Sequence, residues 1–210
     1  MKKTTLTLLA CAMTLCSMAQ MTTIELPAPD KSLSMTLMEA LQQRHSTWTH
    51  TSKAISDEEL STVLWAASGI NRPESGRLTA PSAINAQDIQ VYVMRQDGTY
   101  TYNVQKHQLD KVNDKDLREA VCGRDARPKV APIMLLLVSN MDKFGGRSEE
   151  AKRAMAPIDA GYVSQNICLA CTALGLNTVP RMTMDKPTLI KELGLSDSQM
   201  PLVDHPISKP

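Results

Sequence analysis

The stretch Ile158–Gly175, IDAGYVSQNICLACTALG, decides how the rest of the chain is arranged. From Ile158 to Leu174 small and apolar residues surround the helical cylinder almost completely, which predicts a buried central helix, and Gly175 supplies the residue that ends it. Just upstream, residues 149–156 also read as helical; Pro157 either kinks this helix or sits in the first turn of the next, where its missing N–H costs little. Ile133–Val138 is a continuous apolar run of the length of a central strand. Downstream, Thr178–Met182 is expected as a strand, Lys186–Leu193 as a helix with Gly194 beyond it, and Met200–Ile207 as a last extended segment.

Toward the N-terminus, Ile89–Met94 and Tyr100–Val104 flank Gln96-Asp97-Gly98-Thr99, a hairpin signal. Val91 and Val93 alternate with Gln90 and Tyr92, which predicts one buried face. Asp114–Val121 is expected as a short helix. Ser56 followed by Glu59 is a capping box that opens a second helix, ended by Gly69. Leu37, Met38 and Leu41 place a first helix over about 34–43, which stops near Arg44-His45-Ser46. Between Ile70 and Asp88 lies a long irregular stretch, and loops of that length inside a domain usually carry function. Residues 20–33 read as an extended arm with Pro27 and Pro29. Interleaved helices and strands with a hairpin argue for an α+β sheet wrapped by helices, not a doubly wound parallel one.

Composition narrows the function. With 210 residues, 42% hydrophobic and 21% charged, the chain has room for one domain with a real core. Aromatics are only 3%, so Leu, Met, Ile, Val and Ala must build that core. Lys+Arg 23 against Asp+Glu 22 leaves a net charge of +1, without the basic patch of a nucleic-acid binder. Lys2 and Lys3, the apolar Leu6–Leu15 and the small residues Ser17 and Ala19 form a signal-peptide pattern over residues 1–19. The apolar run is too short for a membrane span; Leu8-Leu9-Ala10-Cys11 as a lipoprotein box ranks second. An exported, periplasmic chain without a membrane anchor is expected, 34–210 being its folded domain. Cys122, Cys168 and Cys171 then remain, too few for a disulfide framework, and the Cys168/Cys171 pair lies deep in a helix rather than at a helix start, where thiolates are stabilised. The four histidines lack metal-ligand spacing, so no metal site is expected. Rossmann, P-loop and nucleophile-elbow motifs are missing.

Three separated segments remain: Arg44-His45-Ser46-Thr47 after an amphipathic helix, Pro81-Ser82-Ala83-Ile84-Asn85-Ala86-Gln87 before a strand, and Asp159-Ala160-Gly161 opening the central helix, which ends Ala173-Leu174-Gly175-Leu176. In this order and separation, from about Leu37 to Ile207, they resemble the nitroreductase family of FMN-dependent oxidoreductases. Thr99-Tyr100-Thr101-Tyr102-Asn103, followed by His107 and Leu109, further resembles the branch that contains peptide-azoline oxidases. The resemblance implies a central, mostly antiparallel sheet wrapped by helices around a buried helix, and a homodimer with FMN at the subunit interface. It implies that a small-molecule donor such as NAD(P)H reduces the flavin and that a nitro, quinone or related acceptor takes the electrons. Because the flavin does the hard step, no catalytic side chain is implied.

The same resemblance assigns the site. Arg44, His45 and Ser46 would hold the phosphate and the nearby ring edge; Pro81, Ser82, Ala83 and Asn85 would line the ring from the partner subunit. Backbone near Val179 and Pro180 would border the flavin, and Gln87 is a further candidate. The chemistry agrees, since a phosphate dianion takes a forked guanidinium and a hydroxyl donor well. Arg44 and Ser46 as a solvated helix C-terminus, where a cation complements the dipole, stays open. Two positions depart from the family. Trp48 stands where a second cation is usual, its ring either stacking on the flavin or filling core space, and the chain reads Ser208-Lys209-Pro210 where a different turn and a basic residue are usual. One phosphate cation contributes about 1.5–3 kcal/mol, and Lys209 or Lys53 is the candidate to replace it. A flavin-fold binding protein without turnover, and a purely structural exported domain, stay open as alternatives.

The leader reading carries its own test. N-terminal sequencing of the secreted protein is expected to start at Gln20, and an intact Met1 or a lipidated Cys11 would overturn it.

Overall fold

The computed structural model describes residues 22–210. The predicted leader, with Cys11, Cys16 and the expected start at Gln20, lies outside the described residues. In chain order the elements are β1 (Thr23–Glu25), α1 (Leu37–Gln43), α2 (Asp57–Ser68), β2 (Ile70–Arg72), β3 (Arg77–Leu78), β4 (Ile89–Arg95), β5 (Gly98–Asn103), β6 (Gln108–Asn113), α3 (Arg118–Cys122), β7 (Ile133–Asn140), α4 (Glu149–Ala173), β8 (Asn177–Thr178), α5 (Lys186–Leu193) and β9 (Gln199–Ser208). Seven strands form one sheet in the order β1-β6-β5-β4-β7-β9-β8, and every pairing in it is antiparallel. The fold is the expected α+β arrangement.

Successive side chains of a strand point to opposite faces, and here both faces are buried. Val91, Val93, Leu135 and Leu137 pack with α2 and α4, through Leu60, Val63, Leu64, Val163, Ile167 and Cys171. Tyr92, Met94, Met134, Leu136 and Val138 pack on the other side with α3 and α5, through Val121, Cys122, Leu189 and Leu193. The expectation of one buried face for the hairpin is therefore corrected: α3 and α5 cover the second.

The central helix also departs from expectation. α4 is one helix of 25 residues with Pro157 inside it, so of the two readings Pro157 does not open a separate helix; Arg153 and Pro157 are both exposed, so the turn in which Pro157 removes a backbone bond lies on the outer side of the helix. Nor is α4 buried all round. Ile158 is 55% and Tyr162 46% exposed, and with Pro157, Gly161 and Gln165 they form an open stripe at helical spacing.

Four smaller differences have local causes. α1 begins at Leu37 because Thr36 and Glu39 form a capping box. The arm contains β1, which pairs with β6; in β6 only Leu109 is fully buried, so its pattern is hard to read. The irregular stretch holds the small β2–β3 pair, and the helix expected over Asp114–Val121 is confined to α3. Finally, the strand expected over Thr178–Met182 shrinks to β8 and an isolated bridge from Arg181 to Asp204, as Pro180 cannot donate to a ladder. α2 and α5 begin and end as read.

At the end of α3 the backbone turns at Gly123 (φ +59°), where an added Cβ would lie 2.3 Å from the carbonyl oxygen of Thr183. That approach docks the segment before α5, whose Asp185 N–H donates to the Ala120 carbonyl at 2.8 Å. Gly145 has a similar φ of +64° but open space around it. Gly145→Ala is expected to cost about 1–3 kcal/mol, because its backbone (φ +64°, ψ −142°) lies where L residues rarely go, and Gly123→Ala more than that because its backbone must also shift. Equal urea midpoints for the two variants would show that the close approach carries no weight.

Candidate functional site

The predicted residues gather into two groups along α4. α1 ends at Arg44, whose ψ of 123° turns the chain out of the helix. The following segment is laid beside β8: Thr47 N–H donates to the Thr178 carbonyl at 3.0 Å, and Asn177 Nδ2 donates to the Thr49 carbonyl at 3.0 Å. This edge is itself anchored from below. The buried His205 of β9 contacts Ser164 Oγ of α4 at 2.8 Å through Nε2 and Thr178 Oγ1 at 3.3 Å through Nδ1, and burial pushes its pKa down to about 3. These bonds lay the segment that carries Arg44, His45 and Ser46 next to the one that carries Val179 and Pro180.

The donors of this first group are available. Among the described residues no side-chain hydrogen bond or ion pair engages the Arg44 guanidinium or the Ser46 hydroxyl, and His45 uses only Nδ1, which donates to the Gln43 carbonyl at 2.8 Å. The Arg44 charge lies close enough to Cys168 of α4 to oppose part of the upward push that burial gives this thiol. Burial likewise raises the Cys171 thiol, so the pair is a set of inert core thiols. Lys209 and Lys53, the candidate replacement cations, are engaged elsewhere: Lys209 Nζ pairs with Glu59 at 3.2 Å, and Lys53 Nζ donates to the Pro210 carbonyl at 2.6 Å. Trp48 does not fill the core. It is 51% exposed, and the Arg127 guanidinium lies 5.5 Å from its ring centroid.

The second group is the loop Pro81–Gln87. A short 3-10 turn spans Ala83–Asn85, and Ile84, Asn85 and Gln87 all have positive φ, at 51°, 58° and 49°. Such a run of left-handed, non-glycine residues is costly, of the order of 1–3 kcal/mol at each. Three interactions hold it: Gln87 N–H donates to Ser82 Oγ at 2.8 Å, Gln87 Nε2 donates to the Gly76 carbonyl at 3.0 Å, and Ala83 N–H donates to both carboxyl oxygens of Asp159 at 2.9 and 3.0 Å. Gln87 therefore works inward on the loop, whereas Asn85 is exposed with no side-chain hydrogen bond among the described residues. A recess of about 210 Å³ lies over Pro81, Ser82 and Ala83, small for a cofactor, which needs roughly 300 Å³ or more.

One loop is tied to α4 at Asp159 and the other group lies near Cys168, nine residues on, or about 14 Å along the helix. The two groups of one chain do not close on a single pocket.

Sequence reasoning missed the root of the second group. Asp88 and Asp159 are both buried, at 1% exposure each. Ser139 Oγ donates to Asp88 Oδ2 at 2.5 Å, while Asp88 Oδ1 is buried without a partner. Burial first, and then the neighbouring Asp88, push the Asp159 pKa up to about 7. A proton held on Asp159 makes that carboxyl a donor toward Asp88, whose Oδ1 otherwise has no partner. The available signal was an aspartate in an otherwise apolar helix, since a buried charge requires compensation.

This raised pKa has a definite sign. Between about pH 4 and 7 the folded chain keeps a proton that the unfolded chain has released, so stability falls as pH rises through that window, by at most about 1.4 kcal/mol per pH unit. Asp204, pushed up to about 7 by burial against the pull of Arg181, acts in the same sense, and His205 acts in the opposite sense below about pH 6.5. Both are common to parent and variant. Asp159→Asn keeps an acceptor for Ala83 and adds a permanent donor for Asp88, so it is expected to gain on the parent as pH rises from 4.5 to 7.5 in urea unfolding. Parallel profiles would refute the proton held on Asp159.

Comparison with known proteins agrees with this geometry. The sequence model described as the nitroreductase family matches residues 41–205, which takes in both groups and α4. A protein from Methanocaldococcus jannaschii named as a nitroreductase is 28% identical over 166 residues, covering 75% of this chain and 83% of that one. A crystal structure named as that of a nitroreductase, from Ralstonia eutropha JMP134, superposes with a TM-score of 0.82 at 30% identity over 89% of each chain. The fold is also that of a Staphylococcus epidermidis protein named as an NAD(P)H:FMN oxidoreductase, with a TM-score of 0.65 at 17% identity over 87% of this chain and 91% of that one. An antiparallel sheet covered on both faces, the paired segments along α4 and a family match spanning them lead to one assignment: this chain belongs to the nitroreductase family.

Proposed function

We propose that the protein is an FMN-dependent oxidoreductase that works as a homodimer, passing electrons from a small-molecule donor such as NAD(P)H to a nitro, quinone or related acceptor, and that it acts after export and removal of residues 1–19. The observation that carries the reading is the unengaged donor pair of Arg44 and Ser46 beside Val179 and Pro180. That donor set suits a phosphate: Arg44 offers a planar fork and Ser46 a hydroxyl. When bound, FMN would supply the hydride and electron chemistry.

The chain's own residues then have separate tasks. Arg44 and Ser46 hold the phosphate, and His45, whose Nε2 is left open by the Gln43 contact, borders the ring edge. Asn85 and the hydroxyl of Ser82, whose oxygen already accepts from Gln87, face the ring of the partner's site, while Pro81 and Ala83 give it an apolar wall and exclude water. A second copy would cover apolar side chains left open beside each group: Leu37 at 64%, Met38 at 71% and Leu41 at 46% exposed beside the first, and Ile84 at 56%, Ile158 at 55% and Tyr162 at 46% beside the second. A flavin-binding protein without turnover is the second reading, favoured by the engagement of Lys209 with Glu59.

The purified mature chain, reconstituted with FMN, is expected to show the flavin absorbance bands, and Arg44→Ala to weaken FMN binding at least about tenfold without changing the melting temperature, because a cation at a helix end adds little to stability. Equal FMN retention by variant and parent would refute the phosphate role. Reduction of a nitro or quinone acceptor by the loaded protein with NAD(P)H separates the enzyme from the binding protein.

A further inference from the structure

A phosphate monoester carries close to two negative charges at neutral pH, and Arg44 brings one positive charge. The structure places another cation on the same segment. Arg127 opens the 3-10 turn Arg127–Val130, far from Trp48 in sequence, yet its guanidinium carbon lies 5.5 Å from the Trp48 ring centroid. Trp48 is two residues beyond Ser46, so their Cα atoms are at most about 7 Å apart, within the reach of one arginine side chain.

The guanidinium is held in a defined orientation. Nε donates to Asp125 Oδ1 at 2.8 Å and Nη2 donates to Asp125 Oδ2 at 2.8 Å. This fork leaves the two hydrogens of Nη1 without a partner among the described residues. The Arg127 fork, with help from Arg181, holds the Asp125 pKa down to about 2, so the orienting carboxylate stays ionised at any working pH. Arg127 is 69% exposed as a side chain, and the half-exposed indole gives it a flat face on which to stack while its edge remains free to donate.

We propose that Trp48 and Arg127 form the second cationic arm of the flavin phosphate site, with Trp48 as platform, Asp125 as the orienting carboxylate and Arg127 as the residue that meets the phosphate. This rests on the flavin reading above and names a phosphate ligand within it. Arg181 also faces Asp125, but it is buried and bound to the Cys122 carbonyl, Thr183 and Asp204, so it supports the local potential without reaching outward.

The test compares FMN with riboflavin, which has the same ring and no phosphate, by flavin fluorescence quenching on the full mature chain. Arg127→Ala is expected to weaken FMN binding about ten- to hundredfold and to leave riboflavin binding unchanged. Trp48→Leu should show a smaller loss with the same preference, Trp48→Phe should retain most of the parent's affinity, and added salt should weaken FMN binding more in the parent than in Arg127→Ala. Unchanged FMN binding by Arg127→Ala, or equal losses for both ligands, overturns the assignment. If the parent binds FMN and only Arg44→Ala distinguishes it from riboflavin, the flavin reading stands and the Arg127 role alone falls; if the parent binds neither ligand, both fall.

Discussion

From Ile133 to Val138 the central strand β7 has no polar side chain, and every one of those residues is buried. A strand of this composition cannot leave either side in water, so helices must close both faces of the sheet. The chain meets this demand unevenly. The short helices α3 and α5 cover one face, and the other is covered by α2 together with the long α4, so the burial of β7 decides where α4 lies. Both groups of candidate site residues then inherit their positions from α4, one through the Asp159 carboxyl and the other through α1, the helix just before it, which packs against α4.

Packing α4 against the sheet brings polar groups into the interior, and their partners define the working edges. Ser164 and Thr178 flank His205, tying the helix to β9 and β8. Arg181, 5% exposed, is paired with the fully buried Asp204 and also caps the Cys122 carbonyl. These bonds add to the β8–β9 ladder and the Arg181–Asp204 bridge, and their removal would leave buried groups unpaired at about 1–3 kcal/mol or more each. On the N-terminal side, His107 contacts Ser61 at 2.7 Å and Tyr102 at 2.7 Å, and its contact to the Pro27 carbonyl at 3.1 Å fastens the arm to α2 and the sheet.

Features governed by local rules were legible in the sequence. α2 follows from a capping box, both α2 and α5 from a terminal glycine and helical spacing, β7 from an unbroken apolar run, and the β4–β5 hairpin from Asp97-Gly98. β6 was not legible because Asp110, Lys111 and Asn113 obscure its one deeply buried residue, Leu109. The two site segments were visible as motifs, and the structure places Arg44–Ser46 beside Val179–Pro180 and fixes Pro81–Gln87 on α4. What no local pattern contains is pairing across the fold: Asp88 meets Asp159, and Arg127 meets Trp48, only after the sheet has assembled. The reading of α4 as buried all round failed for a related reason. Small residues such as Gly161 suit a helix interior and a close-packed outer contact equally well, and composition does not tell the two apart.

The tethering of both groups to one helix makes α4 a measuring rod. A helix advances 1.5 Å and turns about 100° per residue, so its length between Asp159 and Cys168 sets both the spacing and the relative bearing of the two groups. Side chains on the outer stripe can change with little effect on that geometry. Adding or removing a single residue there would swing one group by more than a quarter turn relative to the other, so over this stretch the molecule tolerates altered spelling far better than an altered count of letters.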